Sequence, residues 1–392
     1  MRSIHLQALT TRDRVLRSLV IIILLLGGLL PEFMGLNVVV AAAVVAAPLV
    51  VYDLWRALPR VHEVIYIVVP VFGIFAAHAI FVAPGADYGV EKLLKFVTLT
   101  LATAMSACLL RDEESVSIFA KTWVLYSSLL SVMALFEYSG SGRAGGFDSS
   151  PIWLARALVA AALMVLWFWR TRVYSRWACI PVIVLLLAGA FVTGSRGPVL
   201  GFAVGCVVLA FLGRSGRGFR LLLLFGVAAV GVAMMRLLPI FSQSRLTNPD
   251  SASASNYYRR LLWEITPPVV VEHPLGVGFG NWASAAGAPE QYSYPHSLFL
   301  EIASELGIPI TIAFVCLIAY VLISLYRISE LSRASMLIVV LLCSELVAVN
   351  LSGDLNARTF FFLLTLGFLV SRWYRKGKKG LGRGEHAAAV EP

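Results

Sequence analysis

From Ile308 to Tyr326 no residue carries a charge. A run of that length, rising about 1.5 Å per helical residue, reaches across the roughly 30 Å hydrocarbon core of a bilayer. In lipid only a helix or a closed barrel satisfies its own backbone polar groups, so the run is a membrane helix or nothing. Read upstream, it begins at Ser297, and the same criterion of about 20 apolar residues gives about twelve spans along the chain. They fall at 15–31, 34–54, 63–83, 92–110, 116–137, 152–170, 177–194, 197–213, 219–240, 297–326, 333–351 and 356–372. Composition agrees: 59% of the 392 residues are hydrophobic and 14% charged, against about 45–50% and about 25% in soluble domains. The fold class is therefore an all-α integral membrane protein. The first span follows Arg12 and Arg14 as a signal peptide would, but no small-residue cleavage site follows it, and it is read as retained.

The net charge of +10 would suggest nucleic acid in a soluble protein; here its placement excludes that partner and reports topology. With a cytoplasmic N-terminus, one set of alternate loops holds Arg2, Arg12, Arg14, Arg56, Arg60, Arg111, Arg170, Arg172, Arg176, Arg214, Arg217, Arg220, Arg327 and Arg333. The tail adds Arg372, Arg375, Lys376, Lys378, Lys379 and Arg383 on the same side, facing membrane lipids. Both termini are thus expected in the cytoplasm. The chain divides into nine spans over 1–240, an external loop subdomain over 241–295, three spans over 296–372 and a basic tail over 373–392. Cys108, Cys179, Cys206, Cys316 and Cys343 lie in or beside spans without CxxC spacing, which argues against a disulfide framework and a zinc site. No cofactor or metal motif is present.

The external segment 241–295 is long where other external connections are short, the usual mark of a functional loop. It predicts a short amphipathic helix around Tyr257 to Ile265, stopped by Pro267 and Pro268, then a turn at Gly276, Gly278 and Gly280 where backbone bends or approaches something closely. His273, before a proline, is read as shaping that turn, and the glycine series, which follows no strand, is not a nucleotide-binding fingerprint.

Several charges break the sidedness pattern. Arg196 sits in a tight external hairpin, Arg259 and Arg260 lie in the long loop, and His296 opens the tenth span. Arginine near a bilayer is costly and marks a candidate site. Its planar donor fork matches phosphate oxygens, and donors aimed at a leaving diphosphate act most strongly in the transition state. A histidine with an ordinary pKa near 6.5 accepts a hydroxyl proton, an effect of about 10²–10⁴ in rate, and nearby arginines favour its neutral form. This set fits group transfer from a lipid-linked phosphate. Trp263 lies one turn after Arg259 on the same helix face. One of Arg259 and Arg260 is expected to be solvated or paired to Glu264. Tyr292, Tyr294 and Trp282 suit stacking on sugar rings, although an interfacial aromatic belt also places such residues there. Lys92 and Lys95 are expected to snorkel to the interface. Glu301 and Glu305 are candidates to orient His296 or line the acceptor path, and Glu345, deep in a span, needs a partner or a proton.

At these residues the chain resembles the O-antigen ligase and polymerase superfamily, more particularly its ligases. The matching pieces are SRG at Ser195 to Gly197, RRLLW at Arg259 to Trp263, HPLGVGFGNW at His273 to Trp282, and His296-Ser297 with Gly307 ten residues after the serine. Ile310 stands where the ligase pattern has a second glycine. The resemblance implies a multispanning, GT-C-like, metal-independent and inverting glycosyltransferase of the bacterial inner membrane with a periplasmic site. Its donor would be O-antigen glycan on undecaprenyl diphosphate and its acceptor a sugar hydroxyl of lipid A-core. Arg196 and Arg259 would grip the diphosphate, Arg259 rather than Arg260 because its spacing to Trp263 matches the family's arginine-to-tryptophan pattern, and His296 would activate the acceptor. An O-antigen polymerase or a protein O-oligosaccharyltransferase would use a similar site, and a polyprenyl-linked glycan transporter is the reading from another class. Transporter sites, however, gather at mid-membrane on broken helices rather than at one face.

Overall fold

The computed structural model describes residues 10–29, 51–52, 73–75, 77–85, 87–110, 112–138, 150–212, 220, 249–289 and 291–388. Every regular element among them is helical: α1 Thr11–Leu26, α2 Asp87–Ala107, α3 Glu113–Glu137, α4 Pro151–Arg170, α5 Arg176–Val192 and α6 Arg196–Phe211 precede the long loop. After these come α7 Pro249–Glu272, α8 Trp282–Ala285, α9 Leu298–Glu305, α10 Ile308–Tyr326, α11 Arg333–Ser352 and α12 Arg358–Ala388. Four of the described helices, α3, α4, α10 and α11, are long and apolar enough to cross a membrane, and α5 and α6 are shorter apolar helices. The spans expected at 34–54 and 219–240, and most of 63–83, fall outside the described residues except at Val51, Tyr52 and Arg220.

Local chemistry sets the helix starts. Thr10 and Asp13 form a reciprocal cap on α1, Asp112 accepts from the Ser115 N–H at 2.7 Å to begin α3, and Ser332 accepts from the Ser335 N–H at 3.1 Å to begin α11. Pro151 opens α4, where its missing N–H costs nothing. The centre of the bundle is α4, buried almost throughout from Leu154 to Phe168 against α5, α3 and α6. By contrast Ile312, Val315, Tyr320 and Ile323 on α10 remain exposed, as a lipid-facing helix requires. The helices α6 and α11 approach at backbone distance: a Cβ on Gly201 would come 2.7 Å from the Ser344 carbonyl oxygen, the close contact that small residues permit in membranes.

Two expectations are corrected. The span read as 297–326 is two helices, α9 and α10, separated at Gly307 with φ of 86°. A left-handed residue ends one helix, and Pro309 in the first turn of the next restarts it in a new direction. The loop helix, expected to stop at Pro267, instead runs through both prolines to Glu272. Proline's fixed φ is itself helical, and the lost intrahelical bonds are tolerated while Thr266 and Val269 remain buried on either side. The last helix continues past Arg372 into the basic tail as far as Ala388.

Candidate functional site

His296 stands in the loop entering α9 with φ of 55°, one of two described non-glycine residues with left-handed backbone, the other being Arg172. Such a conformation costs of order 1–3 kcal/mol and persists only where the surroundings impose it. The surroundings here are specific. Tyr294 lies with its ring centroid 4.3 Å from the imidazole, and Tyr292 meets it edge-on at 5.8 Å. Ser297 offers no side-chain cap to α9; Asn350 at the end of α11 replaces it, accepting the Phe299 N–H at 3.2 Å and the Ser297 hydroxyl at 3.4 Å. One turn on, Glu301 Oε2 accepts the Leu355 N–H at 2.9 Å. The 353–357 turn is thereby fastened to the histidine's helix.

These neighbours set the charge of the ring. Burial pushes the His296 pKa below its ordinary value, the Arg259 guanidinium pushes it the same way, and the Asp354 carboxylate opposes both. The balance favours the neutral form of the imidazole, the form that accepts a proton. Burial pushes the Tyr294 hydroxyl up, so it stays protonated as a donor.

The glycine loop is the clamp that holds α9 in place. Its backbone donates from Val277 to the Ser304 carbonyl and from Gly278 to the Glu305 carbonyl, each at 2.9 Å, while Ile308 donates to the Pro274 carbonyl at 2.9 Å. On the other side Gly85 donates to the Phe279 carbonyl at 2.8 Å and Asn281 Nδ2 to the Ala83 carbonyl at 3.1 Å. Gly278 has φ of 89°, and a Cβ there would meet the Ala83 oxygen at 2.4 Å, so the close approach expected of this loop is realised. The His273 carbonyl accepts from the Gly276 N–H at 2.8 Å and shapes the turn as anticipated.

Beneath the clamp lies a charge cluster that the sequence does not reveal. The snorkelling expected of Lys92 does not occur: its side chain is 2% exposed and its ammonium sits 2.6 Å from both Glu301 Oε1 and Glu305 Oε1, each carboxylate fully buried. An ammonium lodged between two carboxylates is held by charge-assisted bonds that the interface cannot supply. Lys95 alone stays at the surface, paired with Glu91. The partner required by Glu345 is Arg156 on α4, with Nη2 at 2.5 Å and Nε at 3.1 Å from Oε1, both side chains buried.

The adjacent arginines separate as the spacing suggests. Arg260 is 81% exposed and bonded to Glu264 at 2.7 Å on the surface of α7, whereas Arg259 is half-buried and acts on His296. Trp263 is half-buried, its Nε1 without a hydrogen-bond partner among the described residues. Arg196 is exposed on the first turn of α6. The next residue, Gly197, packs on Leu351 and Ser352 of α11, which brings Arg196 to the same end of the bundle as Asp354 and His296. Trp282 is fully buried and donates to Thr266 at 3.1 Å, so it is a core residue of the loop subdomain and not a sugar platform. The structure thus packs Tyr292 and Tyr294 on His296, brings Arg259 near enough for its charge to be felt at the imidazole, and places Arg196 at the same end through the helix framework.

Apolar helices that gather a strained, half-buried histidine, arginines and tyrosines at one end beside a helical loop define a membrane-embedded protein with a polar site at its interface. Comparison with known families agrees: residues 181–315 match the family model described as O-antigen ligase, from α5 into α10. The stretch includes Arg196, Arg259, the glycine clamp and His296, so the likeness to the O-antigen ligase and polymerase superfamily read from the motifs is shown. A search of curated proteins gives no match.

Proposed function

We propose that this protein is an O-antigen ligase of the bacterial inner membrane, transferring glycan from undecaprenyl diphosphate to a sugar hydroxyl of lipid A-core at the periplasmic face. The observation that carries the reading is His296: a left-handed, half-buried imidazole packed on Tyr292 and Tyr294, its pKa lowered by burial and by the Arg259 charge, within the stretch that matches the O-antigen ligase model. The polyprenyl tail lies in the membrane, and the diphosphate stops at Arg196 and Arg259. His296 accepts the proton of the acceptor hydroxyl as its oxygen attacks the anomeric carbon. The bond from that carbon to the phosphate oxygen breaks, and its electron pair leaves with the diphosphate, whose growing charge the guanidinium groups meet. Attack opposite the leaving group inverts the anomeric centre. With guanidinium groups in this role, transfer needs no metal ion.

The test is transfer by the purified protein from undecaprenyl-diphosphate-linked glycan, with lipid A-core as acceptor and chelator present. Glycan on lipid A-core with inverted linkage supports the reading. Chain growth on the carrier instead would move the protein to the polymerases, and loss of transfer restored by added Mg²⁺ would end the metal-free mechanism.

A further inference from the structure

An aromatic row leads away from His296. The Tyr292 ring centroid is 5.8 Å from the imidazole, Tyr258 is 5.5 Å from Tyr292, and Tyr257 is 5.7 Å from Tyr258. The row joins two segments distant in sequence, the loop before α9 and the helix α7, so the fold makes it. Tyr257 is 64% exposed and Tyr258 36%, too open for core residues. The helix α7 is not among those apolar enough to cross a bilayer, and Tyr257 shares its face with Arg260 and Glu264, an ion pair open to water. Large exposed aromatic rings beside a reactive group are what a ligand with apolar faces and polar edges needs.

We propose that Tyr257, Tyr258 and Tyr292 form an extended subsite for a saccharide acceptor of at least two linked sugar rings, entering His296 from the α7 side. The C–H face of a pyranose is weakly positive and apolar, and it lies favourably on the negative face of an aromatic ring. The spacing of the rings is close to the length of one sugar residue, and each tyrosine hydroxyl adds a donor for a sugar oxygen. Direction follows from the chemistry. Because His296 takes a proton from the acceptor, the sugar beside Tyr292 carries the attacking hydroxyl, and the sugars behind it extend over Tyr258 and Tyr257. This rests on the reading of His296 as the base, and it adds which substrate occupies the α7 side and that an oligosaccharide is recognised there rather than a single sugar.

Two measurements separate the subsite from that reading. In steady-state transfer, Tyr258→Ala and Tyr257→Ala are expected to raise the acceptor KM about tenfold, the loss of roughly one ring contact, with the donor KM at its wild-type value and the phenylalanine variants, which lose only the hydroxyl, raising it by a smaller factor. In a binding experiment that needs no catalysis, core oligosaccharide freed of lipid A is titrated against full-length His296→Ala protein by saturation-transfer NMR. It is expected to bind, and to lose that binding when Tyr258→Ala is added. Tyrosine-dependent binding by a protein whose wild type transfers nothing would keep the subsite and remove the base. Normal transfer with acceptor KM and oligosaccharide binding unchanged in both alanine variants would overturn the subsite and leave the base. Tyrosine variants that merely lose retention in bilayers, with sugar binding intact, would mark the rings as surface anchors and likewise overturn it.

Discussion

The segment from His273 to Gly307 and the helix pair α4–α6 are both closely packed at glycine, yet what an added methyl would meet differs between them. In the helices, Gly205 faces the flexible end of Leu163 at 2.6 Å, apolar packing that a side-chain rotation relieves. In the clamp, Gly307 has φ of 86° and faces the Leu275 backbone at 2.4 Å, where neither partner is free to move. The helices are held by many weak contacts and tolerate adjustment. The clamp is held by main-chain hydrogen bonds and one buried charge cluster, and it holds the histidine. Precision at His296 therefore comes from the irregular backbone, and the bundle supplies the frame.

The sharpest way to break this contrast is Lys92→Met, which leaves two buried carboxylates without their cation. The expected cost is about 3–5 kcal/mol, read as loss of folded protein in a detergent melting assay. Second is Gly307→Ala set against Gly205→Ala. The clamp variant meets backbone in a left-handed conformation that alone costs roughly 1–2 kcal/mol and is expected to lower Tm strongly, while the helix variant shifts it little. Equal shifts would erase the distinction between the regions.

Smaller effects sharpen the site itself. Arg259→Ala is expected to reduce transfer about 10- to 100-fold, the loss of a charge-assisted contact of about 1.5–3 kcal/mol, with lysine restoring part because its donors do not form a fork. The same variant carries a pH signature. His296 titrates below its ordinary range, so transfer falls only as acid protonates the ring. Removing the neighbouring positive charge raises that pKa and moves the acid limb of the rate profile to higher pH. A limb that stays put would place Arg259 away from the imidazole. The smallest effect belongs to Arg260→Ala: an exposed pair with Glu264 is worth about 0–1 kcal/mol, and transfer is expected to stay within about twofold of wild type.

Much of this is legible in the amino-acid sequence. Apolar run length marks a membrane helix because lipid leaves the backbone no alternative: helices stand close to the expected positions at α1 to α6, α11 and the start of α12, and of these α3, α4 and α11 are long and apolar enough to cross a membrane. Arg196, Arg259 and His296 stand out in the sequence because charges at a membrane face are costly, and the pairing of Arg260 with Glu264 is the one expected of an i,i+4 pair. What escapes is partnership. Nothing in sequence links Lys92 to carboxylates more than two hundred residues away, Arg156 to Glu345, or Asn350 to the start of α9, because each meeting is made by helix packing. The break at Gly307 does leave a signal, a glycine followed two residues later by Pro309, but continuous hydrophobicity masks it. The prolines of α7 mislead in the opposite sense, since a helix breaker in isolation is tolerated where both flanks are anchored.

The most direct measurement is single-turnover transfer by folded His296→Ala protein, with donor binding followed in parallel. A fall of about 10²–10⁴ in the transfer step, with the donor still bound and the melting temperature near wild type, is the expected result. Transfer at the wild-type rate by that variant would contradict the account, leaving the clamp and its strained histidine as a structural device without a chemical task.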